Sequence, residues 1–408
     1  MFAASLAACS GISSRPAPTK PPPAPVVEAP AQPEPPVPAP APQPTVTAEP
    51  APAPPPPPPK PYATAALLLP LTGQAALTGN ALFNAAQLAL FEVADQKFTL
   101  LPYDTKGTAE GAVAAMHQAL ANPPDIIIGP LFAAEVRAVT PLARDAHVPV
   151  IALSSDATVA GEGIYTLGFL PGPQAIRVVT FAARRGHRRV AVLAPGDEYG
   201  KRVAEQTLNA ADRLGVAVVS TQYYDESAGD LAGPIKHMVK VDPANPGDPG
   251  FDALLLPDTG ARLRQVASSL PLLGIDPTKV KLLGTMLWDD ANPGSEPALN
   301  GGWYPAPPSA NHMSFLDRYA KAFGSKPTGI ASLAYDATAL AAVLAKTQPR
   351  DFGAAALTSP AGFAGVDGLF RLLADGTAER GYAIDEVTPA GAPTEIDPAP
   401  ASFPAPGS

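Results

Sequence analysis

The chain reads as an α/β protein of two doubly wound lobes preceded by a long proline-rich segment. Three observations predict this. Between residues 63 and 387 short apolar runs alternate with segments of helical period, the pattern of parallel strands joined by crossover helices. The runs are apolar at consecutive positions, as in strands covered by helices on both faces. The 46 residues from Pro16 to Pro61 include 23 prolines, which removes the backbone donors that helices and sheets require.

Taken in order, the chain begins with Leu6, Ala7 and Ala8 before Cys9, its one cysteine. This stretch resembles the lipobox of bacterial lipoproteins, in which cleavage before a lipidated cysteine leaves that residue as the mature N-terminus. The resemblance implies a signal and anchor over residues 1–9, lipidation of Cys9 and attachment to a membrane. Ser10 in the next position implies the outer membrane, since an aspartate there is the family's inner-membrane signal. Residues 10–62 follow as a disordered linker. At ~3.1 Å per residue in polyproline II, its proline-rich part reaches at most roughly 140 Å.

Strands are expected over residues 64–69, 98–103, 126–128, 148–153, 190–193, 217–223, 253–256 and 281–284. Helices are expected over 80–92, 109–121, 135–146, 173–185, 200–214 and 260–270. Beyond residue 387 the composition returns to Pro, Ala and Gly, and 388–408 read as a disordered tail. Ligands of open α/β sheets bind at the carboxyl ends of the strands. The informative loops are therefore Leu71-Thr72-Gly73, Gly129-Pro130-Leu131-Phe132, Ser154-Ser155-Asp156, Asp197-Glu198-Tyr199-Gly200 and Pro257-Asp258-Thr259. Rich in Gly and small polar residues, they make a cleft wall.

Several function classes are excluded. The net charge is −9 and no basic stripe offers a footprint for nucleic acid. The five histidines, His117, His147, His187, His237 and His312, stand apart from one another with no metal spacing. No Gly-x-Ser-x-Gly elbow and no phosphate loop occur. Lys201-Arg202 at a helix start would attract an anion, but Asp197 and Glu198 stand beside them. We expect no enzyme activity, no cofactor and no metal.

At the loops the sequence resembles the type I periplasmic binding proteins of the leucine-binding group. The matching pieces are Leu69-Pro70-Leu71-Thr72-Gly73, Tyr103-Asp104-Thr105-Lys106-Gly107, Ile127-Ile128-Gly129-Pro130, Val148-Pro149-Val150-Ile151, Asp197-Glu198-Tyr199-Gly200 and Ala334-Tyr335-Asp336-Ala337. The resemblance implies two Rossmann-like lobes with a three-strand hinge. Lobe 1 is then 63–172 plus 302–352, and lobe 2 is 173–301 plus 353–387. It also implies an interlobe ligand cleft, onto which the family's amino-acid contacts carry over poorly. Ala133 stands at the hydroxyl position that holds the ligand carboxylate. Asp156, beside Ser154 and Ser155, stands at the second hydroxyl position, where an unpaired carboxylate would repel the ligand. Met286 falls near the acid that receives the ammonium, and Tyr199 keeps its counterpart. Asp258 is either a polar contact on the far wall or a helix cap.

A second resemblance lies near the C-terminus. Gly365-Val366-Asp367-Gly368-Leu369-Phe370-Arg371, Asp375-Gly376 and Glu379-Arg380-Gly381-Tyr382 are similar to the hairpin of the penicillin-binding protein activators of proteobacteria. These periplasmic lipoproteins dock on a peptidoglycan synthase and stimulate it. The partner implied is therefore a penicillin-binding protein, with an amino-acid-like solute as an additional possibility. The alternative function is that of an ABC-transporter receptor for amino acids or amides.

Overall fold

The computed structural model describes residues 62–403, apart from 226–230, 241–243, 245–246, 291–292, 348 and 390. Cys9 and the proline-rich linker lie outside the described residues. The strands are β1 (Ala63–Leu69), β2 (Phe98–Asp104), β3 (Ile126–Ile128), β4 (Val150–Ala152), β5 (Ile164–Thr166), β6 (Arg189–Pro195), β7 (Ala217–Tyr224), β8 (Ala253–Leu255), β9 (Lys281–Leu283), β10 (Trp303–Ala306), β11 (Phe363–Gly365), β12 (Gly368–Leu372), β13 (Ala378–Arg380), β14 (Ala383–Glu386) and β15 (Thr394–Asp397). The helices are α1 (Ala76–Val93), α2 (Ala109–Leu120), α3 (Ala133–Asp145), α4 (Pro171–Arg184), α5 (Glu198–Leu214), α6 (Ala232–Met238), α7 (Gly260–Ser269), α8 (Leu287–Asp290), α9 (Ser309–Phe323), α10 (Ala331–Ala345) and α11 (Ala354–Leu357). Among the described residues, no helix is long and apolar enough to cross a membrane.

Two sheets carry the lobes. The first runs β2-β1-β3-β4-β5, parallel throughout. The second runs β15-β14-β10-β9-β8-β6-β7. Its five parallel strands repeat the order of the first sheet, and β14 and β15 extend it antiparallel. In each lobe the strand order reverses beside the first strand, which opens a crevice there at the carboxyl ends.

Burial explains why the strands lack alternation. In β1, Ala63, Ala65, Leu67 and Leu69 pack into one core with α1 and α10, whereas Ala66 and Leu68 pack into another with α2 and α3. In β6, Val190, Val192 and Ala194 face α4 and α5, while Ala191 and Leu193 face α6 and α7. Successive side chains point to opposite faces, and both faces are covered.

The helix α1 approaches the end of β1 so closely that a Cβ on Gly79 would lie 2.0 Å from the Pro70 carbonyl oxygen. Gly79→Ala is expected to lose roughly 2 kcal/mol, overpacking outweighing the helix propensity of alanine. A lower urea midpoint is the readout, and an unchanged midpoint would mean that the Pro70 loop yields.

The domain boundaries differ from the sequence expectation in three places. The β10 strand, expected in lobe 1, pairs with β9 and β14 in the second sheet. The segment 354–380, expected in lobe 2, packs on lobe 1: Leu357, Phe370, Leu372 and Ala378 share a core with β1 and α10. The third difference is β15, which lies in the stretch read as a disordered tail. Ile396 packs against the second core, and Arg177 Nη2 bonds Asp397 Oδ2 at 2.6 Å. The chain thus crosses between the lobes three times, at 167–170, 307–308 and 381–382.

The Asp375-Gly376 turn closes the hairpin β12–β13 as expected from sequence, Thr377 N donating to Asp375 Oδ1 at 2.9 Å. Its tip docks on lobe 1, where Thr166 N donates to the Gly376 carbonyl at 2.8 Å.

A buried charge cluster gathers the crossings. The Arg380 side chain is 2 % exposed. It donates to the Leu167 carbonyl at 3.1 Å, lies over the rings of Phe169 and Phe370, and stands 3.6 Å from Asp336 Oδ2. Asp336 Oδ1 accepts from Val366 N at 2.8 Å, and His312 Nδ1 pairs with Asp367 Oδ1 at 2.7 Å. Gly368, next to Asp367, lies so close to Pro308 and Gly381 that a Cβ there would stand 2.9 Å from the Pro308 side chain and 3.1 Å from the Gly381 carbonyl oxygen, so residues of lobe 1, the hairpin and all three crossings meet in one place.

Candidate functional site

The carboxyl ends of β1, β3 and β4 form the wall contributed by lobe 1. Thr72 is exposed, but its Oγ1 donates to Asp104 Oδ2 at 2.6 Å. Leu71, Thr72 and Lys106 amides all donate to Asp104 Oδ1. Burial would raise the Asp104 pKa, and these bonds outweigh it to hold the carboxylate below its ordinary value. The Thr72 hydroxyl thus ties one loop to the next. Leu131 is buried, Ala133 opens α3, and between them Phe132 is 40 % exposed. The Ala133 methyl offers no hydroxyl here, and the exposed ring beside it is apolar.

Asp156 departs most from the sequence expectation. Ser154 is buried, and its Oγ accepts from Asp156 N at 3.1 Å, while Ser155 is exposed. The Asp156 carboxylate accepts from Thr158 N and Oγ1, and from Arg137 Nη2 of α3 at 2.7 Å. It also accepts from Arg202 Nη1 of α5 at 2.6 Å. Burial pushes its pKa upward, but Arg202 and Thr158 prevail and hold it far below the carboxylate range. Asp156 was expected to stand unpaired and to repel a ligand; instead it carries two arginines, one from the opposite lobe. In the sequence Arg202 stands near Asp197 and Glu198, which argue against a bound anion; in the fold its partner is Asp156. The anion is internal.

On the far wall, Tyr199 OH donates to Thr285 Oγ1 at 2.9 Å, and Met286 N donates to Gln174 Oε1 at 3.0 Å. Burial raises the Tyr199 phenol above its usual range. Asp258 is not the N-cap of α7, which is Thr259. It receives the Tyr224 hydroxyl and Thr259 N, and burial still raises it. The polar groups of this wall are largely spent on one another.

Two cavities open at the boundary of the lobes. One, of about 260 Å³, is lined by Ser155, Leu170, Arg202, Gln206 and Glu379 among others; a second, of about 480 Å³, by Thr158, Glu198, Lys201 and Arg202. They share Ala157, Arg202 and Gln206. Neither is lined by Ala133, Tyr199, Asp258 or Met286. The structure brings Ser155 and Asp156 against the opposite lobe and leaves those four on their own walls.

A family model described as "Periplasmic binding protein" matches residues 63–392. The chain belongs to that family. Solved structures agree in fold. A solute-binding protein of an ABC transporter from Rhodopseudomonas palustris BisB5, in complex with 3,4-dihydroxybenzoic acid, superposes with a TM-score of 0.61 at 20 % identity, covering 85 % of this chain and 98 % of its own. A putative branched-chain amino acid ABC transporter from Rhodospirillum rubrum gives 0.70 at 17 % identity, covering 82 % of this chain and 100 % of its own. An uncharacterised protein of Rickettsia prowazekii (strain Madrid E) is 22 % identical over 162 residues, 40 % of this chain and 43 % of that protein. The likeness therefore spans less than half of that relative's length.

Proposed function

We propose that this chain is a non-catalytic periplasmic lipoprotein that binds a penicillin-binding protein and stimulates its peptidoglycan synthesis. The observation that carries this reading is the Asp156–Arg202 bridge. The carboxylate that a solute would bring to this position is supplied by the protein, which favours a fixed docking body over a cleft that must fill and empty. The sequence features agree with it: an anchor at Cys9, directed by Ser10 to the outer membrane, a tether long enough to span a wall, and a hairpin similar to that of the activators. The partner is a synthase, with no cofactor and no nucleic acid.

A second reading, a receptor delivering an amino-acid-like or aromatic-acid solute to an ABC importer, draws support from the solute-binding proteins that share the fold. One pair of measurements separates them. The full chain is expected to raise the glycan-polymerisation or transpeptidation rate of a purified synthase. Calorimetry with leucine, isoleucine and valine is expected to show nothing tighter than about millimolar, ~4 kcal/mol. An unaltered rate together with micromolar affinity would reverse the order of the two readings.

A further inference from the structure

The chain after β15 passes back over the hinge. Its root belongs to the second lobe: β15 pairs with β14, and Arg177 of α4 donates through Nη2 to Asp397 Oδ2 at 2.6 Å. The same guanidinium donates through Nε to the Tyr382 carbonyl at 2.9 Å. One arginine therefore holds together the third crossing and the start of residues 398–403.

Two footholds follow. Pro400 lies on the crossing itself, where a Cβ on Gly381 would stand 2.9 Å from the Pro400 ring. The backbone at Gly381 is not left-handed, so what glycine provides there is room for the proline. Phe403 lies beyond it on the hairpin: the Arg371 guanidinium stands 4.6 Å from its ring centroid, and a Cβ on Gly362 would come within 3.1 Å of the ring. That hairpin belongs to lobe 1, in whose core Phe370 and Leu372 are buried. Arg371 alternates with them along β12 and points the other way. The hairpin is thus enclosed between the lobe 1 core and Phe403.

Residues 398–403 make a fourth link between the lobes, by contact rather than by a strand. The link is stiff, because Pro398 and Pro400 fix their own φ and hold Asp397 and Ala399 before them in extended conformations. Hinge motion changes the backbone angles of a few residues at the crossings. If Gly381 and Tyr382 turn, Pro400 or Phe403 must leave its seat. The link also reaches the cleft: Arg371 Nε donates to Glu379 Oε2 at 2.7 Å, and Glu379 lines the smaller interlobe cavity.

We infer that residues 398–403 are a splint on the hinge, which limits how far the lobes part. Pairing and Arg177 fix its lobe 2 end, so Phe403 is the end that releases. Phe403 is half-buried, and a ring over a guanidinium yields at modest cost. The inference rests on neither function proposed above, since a docking body and a solute receptor both depend on the range of the hinge.

Small-angle scattering on the full chain tests it, with the Asp156–Arg202 bridge removed so that the hinge is free to move. The double variant Asp156→Ala with Phe403→Ala is expected to have a larger radius of gyration than Asp156→Ala alone. In the same background Pro400→Gly, which takes away the other foothold and the stiffness of the segment, is expected to act in the same direction. Pro400 is exposed and Phe403 half-buried, so both variants should fold, and an unchanged circular dichroism spectrum checks it. Hydrogen exchange reports the release itself: amides of residues 360–372 are expected to exchange about fivefold faster or more. Faster exchange there without a larger radius in either double variant would make the segment a local cover of the hairpin and overturn the proposal. Exchange and radius both unchanged would overturn it too, since the two seats would then hold nothing.

Discussion

Replacing Arg380 by methionine is expected to destabilise the protein by about 3–5 kcal/mol near neutral pH, the usual cost of breaking a buried ion pair from one side. Methionine keeps most of the volume between Phe169 and Phe370, so the loss is one of charge more than of packing. What remains is Asp336, 1 % exposed, facing Asp367, also 1 % exposed, without the guanidinium that balanced them. Burial and then the charge of Asp367 already raise the Asp336 pKa, against the opposing effect of Arg380. Without Arg380 it rises further. A carboxyl raised in the folded state lends stability below its unfolded value, near 4, and loses it as the pH climbs through the folded value. The variant should therefore be far weaker than wild type at about pH 8 and much closer to it at about pH 5. His312, lowered by burial but raised more by Asp367, titrates in both proteins and drops out of the comparison to first order. Urea unfolding at the two pH values, followed by tryptophan fluorescence, measures the difference. An equal loss at both would mean that Arg380 contributes packing and the Leu167 hydrogen bond, and that Asp336 is neutral throughout. Because the cluster joins the three crossings, the same variant should also loosen the hinge.

The parts of the fold that were legible in sequence are those fixed by local pattern. The run Ala65-Ala66-Leu67-Leu68-Leu69 announces a strand buried on both faces, and the Asp375-Gly376 turn announces its hairpin. What sequence does not carry is the identity of the sheet that an apolar run will join. All four residues of β10 are buried, and such a strand would suit either lobe; pairing with β9 and β14 decides it. In β15 only Ile396 meets a core, so Thr394-Glu395-Ile396-Asp397 looks like tail until Arg177 is seen to hold Asp397. Arg380 is hidden for a related reason. In β13, Ala378 and Arg380 point inward while Glu379 points toward solvent, and an arginine in a short hairpin reads as exposed by default. At the site, the loops that carry Thr72, Leu131, Ser154, Tyr199 and Asp258 were recognisable because strand ends in this class are where ligands bind. Their partners were not. The residue that completes Asp156 lies 46 positions downstream, on a helix of the other lobe, and only the three-dimensional fold brings the two together.

Removing the Asp156 carboxylate should show what that pairing does. Asp156→Ala is expected to shift the lobes toward an open arrangement, seen as a larger radius of gyration by small-angle scattering. Asp156 and Arg202 side chains are 20 % and 25 % exposed, so solvent screens the pair only in part. A charge-assisted bond of this kind is worth about 2 kcal/mol, roughly a 30-fold change in the ratio of closed to open forms. Arg202→Ala should open the lobes as far as Asp156→Ala does, and the double variant no further, since the two act through one bond. Arg137 belongs to the same lobe as Asp156 and is 56 % exposed, so Arg137→Ala should leave the scattering as it is. The pH dependence has a definite sign. A carboxylate held below its ordinary value stabilises the closed form above that value and stops doing so only as the pH falls through the lowered one. The wild type should therefore remain closed at about pH 5, where an ordinary carboxylate is beginning to titrate. In Asp156→Ala, Arg202 and Arg137 are left facing an empty carboxylate position, and acetate should restore part of the closure. Rescue by acetate but not by chloride at equal ionic strength identifies a ligand position filled from within. Identical scattering of wild type and both single variants would place the closure elsewhere, in the hairpin and the buried cluster at the crossings, and would take away the observation on which the docking function rests.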